Sequence, residues 1–228
     1  MRLSELAGRV PDSVLAVLSK QGIETLRPAQ EKAIKLGLLE GKNLLVCTPT
    51  ASGKTLIAEF ACLRAIVEQG MKAVYIVPLK ALATEKYREF TRKWGHLARV
   101  ALSMGDTDSA ESRLADYDLV IVTSEKLDSL LRHRASWIAG VGVLVVDEIH
   151  LLDDAGRGPT LEILITLLRQ TLPKLQLLGL SATIGNPDEL AEWLDATLVT
   201  DSWRPVRLYK GVYLEGEVRF EEETAKKD

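Results

Sequence analysis

A doubly wound α/β domain, with a mostly parallel sheet covered by helices on both faces, is the fold this sequence predicts. Three observations carry it. Six short β-rich runs are almost continuously apolar, which argues for strands buried on both faces. Helical stretches fill most of the intervals, and strand–helix alternation of this kind closes through right-handed crossovers. The segments that carry recognisable chemistry follow the runs, at the carboxyl ends of strands where such sheets bind ligands.

The elements follow in order. Pro11-Asp12 ahead of Val14, Leu15, Val17 and Leu18 reads as a capped short helix ending near Gly22. Pro28 opens a second helix, whose apolar face is Ala33, Ile34, Leu36 and Leu38, before Gly41. Strands are expected at 44–47, 73–77, 100–102, 119–123, 143–147 and 177–181, and helices at 55–69, 81–94, 124–134, 160–171 and 187–194. After Leu198 the pattern fails. Trp203-Arg204-Pro205-Val206 reads either as one more strand or as a linker, and 221–228 as a charged, solvated tail. The chain therefore divides into an N-terminal helical extension (1–25), the sheet domain (26–200), and a linker strand with a disordered tail (201–228). It shows no internal repeat.

Bulk composition excludes several classes. A hydrophobic share of 46% and a charged share of 27% are those of an ordinary globular protein. A net charge of −3 gives no global basic field, so any nucleic-acid contact must come from a local face. Cys47 and Cys62 fall in a strand and a helix and read as reduced core residues rather than a disulfide framework. No apolar run approaches the ~20 residues of a membrane span, so no membrane contact and a cytoplasmic location are expected.

Two segments point to nucleotide chemistry. Thr48-Pro49-Thr50-Ala51-Ser52-Gly53-Lys54-Thr55 lies between an apolar run and a helix, where converging backbone N–H groups and a helix N-terminus cradle phosphates. Lys54 can reach the β- and γ-phosphates of ATP, and the Thr55 hydroxyl can ligate magnesium. Asp147-Glu148-Ile149-His150 closes the run Val143-Leu144-Val145-Val146. Alone, its acids could be solvated strand-end carboxylates. With Lys54 upstream, Asp147 is expected to hold magnesium through water and Glu148 to orient and deprotonate an attacking water.

These segments, with Pro78-Leu79-Lys80-Ala81-Leu82, Thr123-Ser124-Glu125-Lys126 and Ser181-Ala182-Thr183, stand in the order seen in superfamily 2 DExH-box helicases. The chain resembles the first RecA-like domain of that family, over roughly residues 26–216. Its nearest branch is the archaeal Ski-like DNA-repair helicases, through 126–133, 157–162 and 201–206. Threonine in place of the first glycine of the phosphate loop is usual in that superfamily. The resemblance implies several roles. Gln30 would read adenine, with Arg27 standing where an aromatic residue is common. His150, Ser181 and Thr183 would couple the nucleotide to interdomain movement, although a plain strand-terminating turn is the simpler reading of the last two. Lys80, Thr123 and Lys126 would contact phosphodiesters at helix N-termini, with Arg132, His133 and Arg157 as further contacts. Any of these basic residues could instead be a solvated helix face.

The function so implied is that of the ATP-binding lobe of an ATP-dependent 3′–5′ DNA helicase. It would translocate on single-stranded or forked DNA in replication-fork repair and work with a second RecA-like domain and helical domains of the same full-length chain. An RNA helicase of the exosome-associated branch shares these motifs. A small-molecule P-loop phosphotransferase would not need the Lys80 and Thr123–Lys126 loops. One lobe of 228 residues is expected to be nearly inactive alone, because a second lobe brings the cations that stabilise phosphoryl transfer.

Overall fold

Seven parallel strands lie in the order β3-β4-β2-β5-β6-β1-β7 in a computed structural model that describes residues 1–104, 112–209 and 211–220. They are β1 Leu44–Cys47, β2 Lys72–Ile76, β3 Val100–Ser103, β4 Leu119–Val122, β5 Val141–Val146, β6 Gln176–Ser181 and β7 Thr197–Thr200. Helices α1 Asp12–Lys20, α2 Pro28–Lys35, α3 Lys54–Leu63, α4 Lys80–Trp94, α5 Ser124–Arg132, α6 Gly158–Thr171 and α7 Pro187–Leu194 connect or flank them. The doubly wound parallel fold is the one the sequence predicts.

Strand residues alternate between two apolar layers, as a pleat of period two requires. Ala73, Tyr75, Val143, Val145, Leu178 and Leu180 face one layer with α1–α4, where Ile57, Phe60, Phe90 and Trp94 are fully or almost fully buried. Val74, Ile76, Leu144, Val146 and Leu177 face the other, against Leu127 and Leu130 of α5, Leu161, Leu164 and Leu168 of α6 and Leu194 of α7. Both faces of the central strands are covered, so their runs are apolar without alternation. The N-terminal segment shares the first layer: Leu3, Leu6, Val14 and Leu18 pack into the same cluster as Leu44 and Val46.

Three differences from the sequence reading have physical causes. The pattern does not fail at Leu198. A seventh strand, β7, pairs in parallel with β1 from Leu44↔Thr197 to Cys47↔Thr200. Only Val199 of its four residues is buried, as befits an edge strand, so no apolar run announces it. The single helix expected over 55–69 is an α-helix to Leu63 followed by a π-helical turn, Arg64–Glu68. Residues 201–209 form no strand. An antiparallel hairpin follows instead, with β8 Gly211–Leu214 paired to β9 Glu217–Phe220 through Glu215 and Gly216, both at positive φ. Glu-Gly is not among the dipeptides that announce such a turn in sequence, which are Asn-Gly, Asp-Gly and Gly-Gly. The expected tail, 221–228, lies outside the described residues.

Candidate nucleotide site and nucleic-acid face

The order β5-β6-β1 sets three motif-bearing strand ends side by side. The Thr48–Thr55 loop leaves β1, Ser181 ends β6, and Asp147 follows β5. Hydrogen bonds join them across the sheet. The Thr48 N–H donates to the Ser181 carbonyl at 3.3 Å. The Ser181 hydroxyl lies 3.3 Å from His150 Nδ1, which in turn lies 3.4 Å from Glu148 Oε2. A continuous polar path thus runs from the phosphate loop to the acid pair.

The loop itself is held open by backbone conformation. Ala51 and Gly53 take positive φ (64° and 97°), turning successive peptide groups within the loop before α3 begins. A Cβ on Gly53 would stand 2.3 Å from Gln30 Nε2, so only glycine passes there. Buried Thr48 and Ser52 join their hydroxyls at 2.7 Å across the loop. The Thr48 side chain therefore braces the loop at the position of the missing glycine. Lys54 Nζ donates to the carbonyls of Thr48 and Pro49 at 2.8 and 3.2 Å. Burial lowers the Lys54 ammonium pKa below its ordinary value, against the opposing pull of the Glu148 and Asp147 carboxylates. Burial also raises the Cys47 thiol to about 11, against the opposing charge of Lys54, so it is a packed thiol rather than a nucleophile.

Asp147 is fixed from two sides. Its N–H donates to Ile76 O at 2.9 Å, and the Tyr75 hydroxyl donates to its Oδ2 at 3.0 Å. Tyr75 was not singled out in the sequence because its ring belongs to an apolar run; only the β2–β5 pairing, with Tyr75 opposite Val145, brings its hydroxyl to the acid. Burial holds that phenol well above its ordinary pKa, so it is a donor throughout. Glu148 sits in the left-handed region (φ 51°), a conformation that costs about 1–3 kcal/mol for a non-glycine residue and concentrates at functional sites.

Gln30 is 4% exposed. Its Oε1 accepts from the Arg27 N–H at 2.9 Å and its Nε2 donates to Gly53 O at 3.0 Å. The amide thus ties α2 to the phosphate loop, with one N–H and one lone pair beyond these two bonds. Arg27 donates to the Ala51 carbonyl and lies 5.4 Å over the Trp203 ring. A cavity of about 960 Å³ opens beside Gln30, Gly53 and Thr55, walled on the far side by α4. The donor set fits magnesium triphosphate chemistry: Thr55 and Asp147 offer hard oxygens, and no side chain caps the α3 N-terminus. Among the described residues no cluster of three or more His, Cys, Asp or Glu could cage a metal unaided. A magnesium ion held here therefore shares its ligands with phosphate and water.

Several of the residues predicted to meet nucleic acid follow the adjacent strands β2 and β4. Lys80 is exposed at the first turn of α4. Thr123 is buried as the N-cap of α5, and Lys126 is 7% exposed in its first turn. Arg132 is exposed but bonded to Asp128 at 2.7 Å, and His133 Nδ1 lies 2.9 Å from Ser129 O. Arg157, at the N-cap of α6, is paired with Asp154 at 3.3 Å. Gly158 beside it admits no side chain, since a Cβ would meet Leu152 O at 2.1 Å. Thr183 is exposed, away from the Ser181–His150 contact.

A parallel P-loop domain with an acid pair two strands away, across β6, defines the class of P-loop nucleotide-binding domains. The family model for DEAD/DEAH box helicases matches residues 27–190, and the chain belongs to that family. Among curated relatives, the ATP-dependent DNA helicase Hel308 of Pyrococcus abyssi is 54% identical over 97% of this chain, and that of Methanocaldococcus jannaschii 53% over 92%. The chain spans 30% and 18% of those relatives' lengths, respectively. Among solved structures, the DUF1998 helicase MrfA bound to DNA superposes with a TM-score of 0.74 at 28% identity, over 85% of this chain and 30% of that one. MrfA bound to DNA and AMPPNP superposes with a TM-score of 0.72 at 26% identity, over 85% of this chain and 29% of that one. No described helix is long and apolar enough to cross a membrane.

Proposed function

We propose that this chain is the ATP-binding lobe of an ATP-dependent 3′–5′ DNA helicase that moves along single-stranded or forked DNA in repair. The observation that supports it most is the run of polar contacts from Thr48 through Ser181 and His150 to Glu148. It ties the phosphate loop to the acid that would handle water, and both to the β6 strand end from which movement would be passed on. The Hel308 relatives, named as DNA helicases, favour DNA over RNA; the 3′–5′ polarity rests on the family resemblance.

In this reading Lys54 leaves the Thr48 and Pro49 carbonyls for the β- and γ-phosphates. Thr55 would hold magnesium directly and Asp147, steadied by Tyr75, would hold it through water. The metal supplies neutralisation of the phosphate charge. Glu148 takes the proton of the attacking water, and His150 keeps that carboxylate aligned. Gln30 reads the base. Helix N-termini at Lys80 and Thr123–Lys126 hold the phosphodiester backbone without regard to sequence.

In this reading the arginine aimed at the γ-phosphate comes across a cleft from a second lobe, a contribution of about 10³–10⁵ in related NTPases. The 228-residue chain is therefore expected to bind Mg·ATP in calorimetry yet turn over only at trace rates, unaltered by single-stranded DNA. Brisk DNA-stimulated hydrolysis by this chain alone contradicts the division of labour; absence of Mg·ATP binding contradicts the site.

A further inference from the structure

Lys86 has a contact that the proposed chemistry does not use. It projects from the second turn of α4, and its Nζ donates to Thr55 Oγ1 at 3.1 Å. The same ammonium lies 3.4 Å from Glu89 Oε2, one turn further along α4. Its side chain is only 17% exposed, so the contact is made in a partly desolvated setting. Close by, Glu59 of α3 is buried and hydrogen-bonded to Lys93 at 2.6 Å, and its carboxylate also attracts the Lys86 ammonium electrostatically.

Two cations cannot share one hydroxyl oxygen cheaply. An ammonium and a divalent ion both seated on Thr55 would stand a few ångströms apart, where like charges in a partly buried site repel strongly. We infer that Lys86 is a placeholder cation on the metal's hydroxyl: magnesium takes Thr55 Oγ1 only as the ammonium withdraws along α4 to Glu89. The inference rests on the reading of Thr55 as a magnesium ligand. Lys86 is then a positioning residue that sets how strongly nucleotide binding depends on metal. Without metal its charge helps to neutralise phosphate; with metal it must be displaced. Because Lys80 opens the same helix about 9 Å away along its axis, a strand seated on the α4 N-terminus bears on the element that releases the ammonium.

The test measures the affinity of the 228-residue chain for a non-hydrolysable ATP analogue, by calorimetry, with magnesium and with EDTA. The readout is the ratio of the two dissociation constants, EDTA over magnesium. Lys86→Met should raise that ratio by about fivefold or more, a coupling of ordinary allosteric size. It should do so by weakening metal-free binding and strengthening binding with magnesium. Lys86→Arg, which keeps a cation, should stay near wild type. Glu89→Gln, on the exposed side of α4, removes the retreat partner and should lower the ratio. A merely structural role for Lys86 would weaken both affinities together and leave the ratio alone. An unchanged or lowered ratio in Lys86→Met, or an unmoved ratio in Glu89→Gln if the lysine variant does not fold, overturns the inference. Failure of the wild-type chain to bind the analogue with magnesium overturns the nucleotide site itself, a distinct result.

Discussion

At the carboxyl ends of β1, β6 and β5, polar groups are mostly buried or half-buried, and they are bonded to partners from other strands. Thr48 meets Ser181, Ser181 meets His150, and Tyr75 meets Asp147. On the face built after β2 and β4 and at the ends of α5 and α6, arginines and histidine bond within their own segment: Arg132 with Asp128, His133 with Ser129, Arg157 with Asp154. The first region is set by tertiary structure, so its geometry is fixed before a ligand arrives. The second is set by local contacts that an incoming anion can exchange at little cost, since solvent screens exposed pairs of this kind. On the proposed function, the contrast suits a nucleotide held in one pose for chemistry and a strand that is held and let go in turn.

Substitutions can break or sharpen that contrast. The largest effect belongs to Glu148→Gln in a polypeptide that carries both lobes: turnover should fall by about 10²–10⁴-fold, while analogue affinity stays near wild type. Near-normal turnover would remove Glu148 from its role. Lys54→Ala should weaken binding of the triphosphate analogue by about 100-fold, as loss of a charge-assisted phosphate contact does; calorimetry on the 228-residue chain measures it. Tyr75→Phe tests the prepositioned side from within. It strips a donor from half-buried Asp147 and should cost about 1–2 kcal/mol in denaturant unfolding, and unchanged stability would mean that the acid needs no support. The smallest effect is the most telling for the other region. Asp128→Ala frees Arg132 and should tighten single-stranded DNA binding only about two- to threefold, in keeping with an exposed pair. Weaker binding would show that Asp128 orients Arg132 rather than detains it.

The same contrast decides what was legible in the sequence. Strands β1 to β6 announce themselves because both faces are buried, and the loop after β1 and the acids after β5 sit where the fold class puts ligands. What stayed hidden depends on pairing between distant strands and helices. Tyr75 looks like one more core residue until β2 lies against β5. Lys86 looks like a solvated helix lysine until α4 packs over α3 and meets Thr55. Strand β7 contributes one buried side chain, Val199, and gains its place from backbone bonding to β1, which leaves no hydropathy trace. The N-terminal residues show the converse: a recognisable helix whose role in the main core, through Leu3, Leu6, Val14 and Leu18, no local pattern reveals.

Arg27 joins the Ala51 carbonyl of the phosphate loop to the ring of Trp203, in the segment that leaves the sheet after β7. Trp94 and Trp137 are buried away from solvent, and Trp193 and Trp203 are exposed. Of these four indoles, Trp203 alone is in reach of a loop peptide through a single guanidinium. The arrangement is a built-in optical gauge: any ligand that turns the Ala51 peptide shifts the charge over that ring, and its emission colour should record the loop's movement without an added dye.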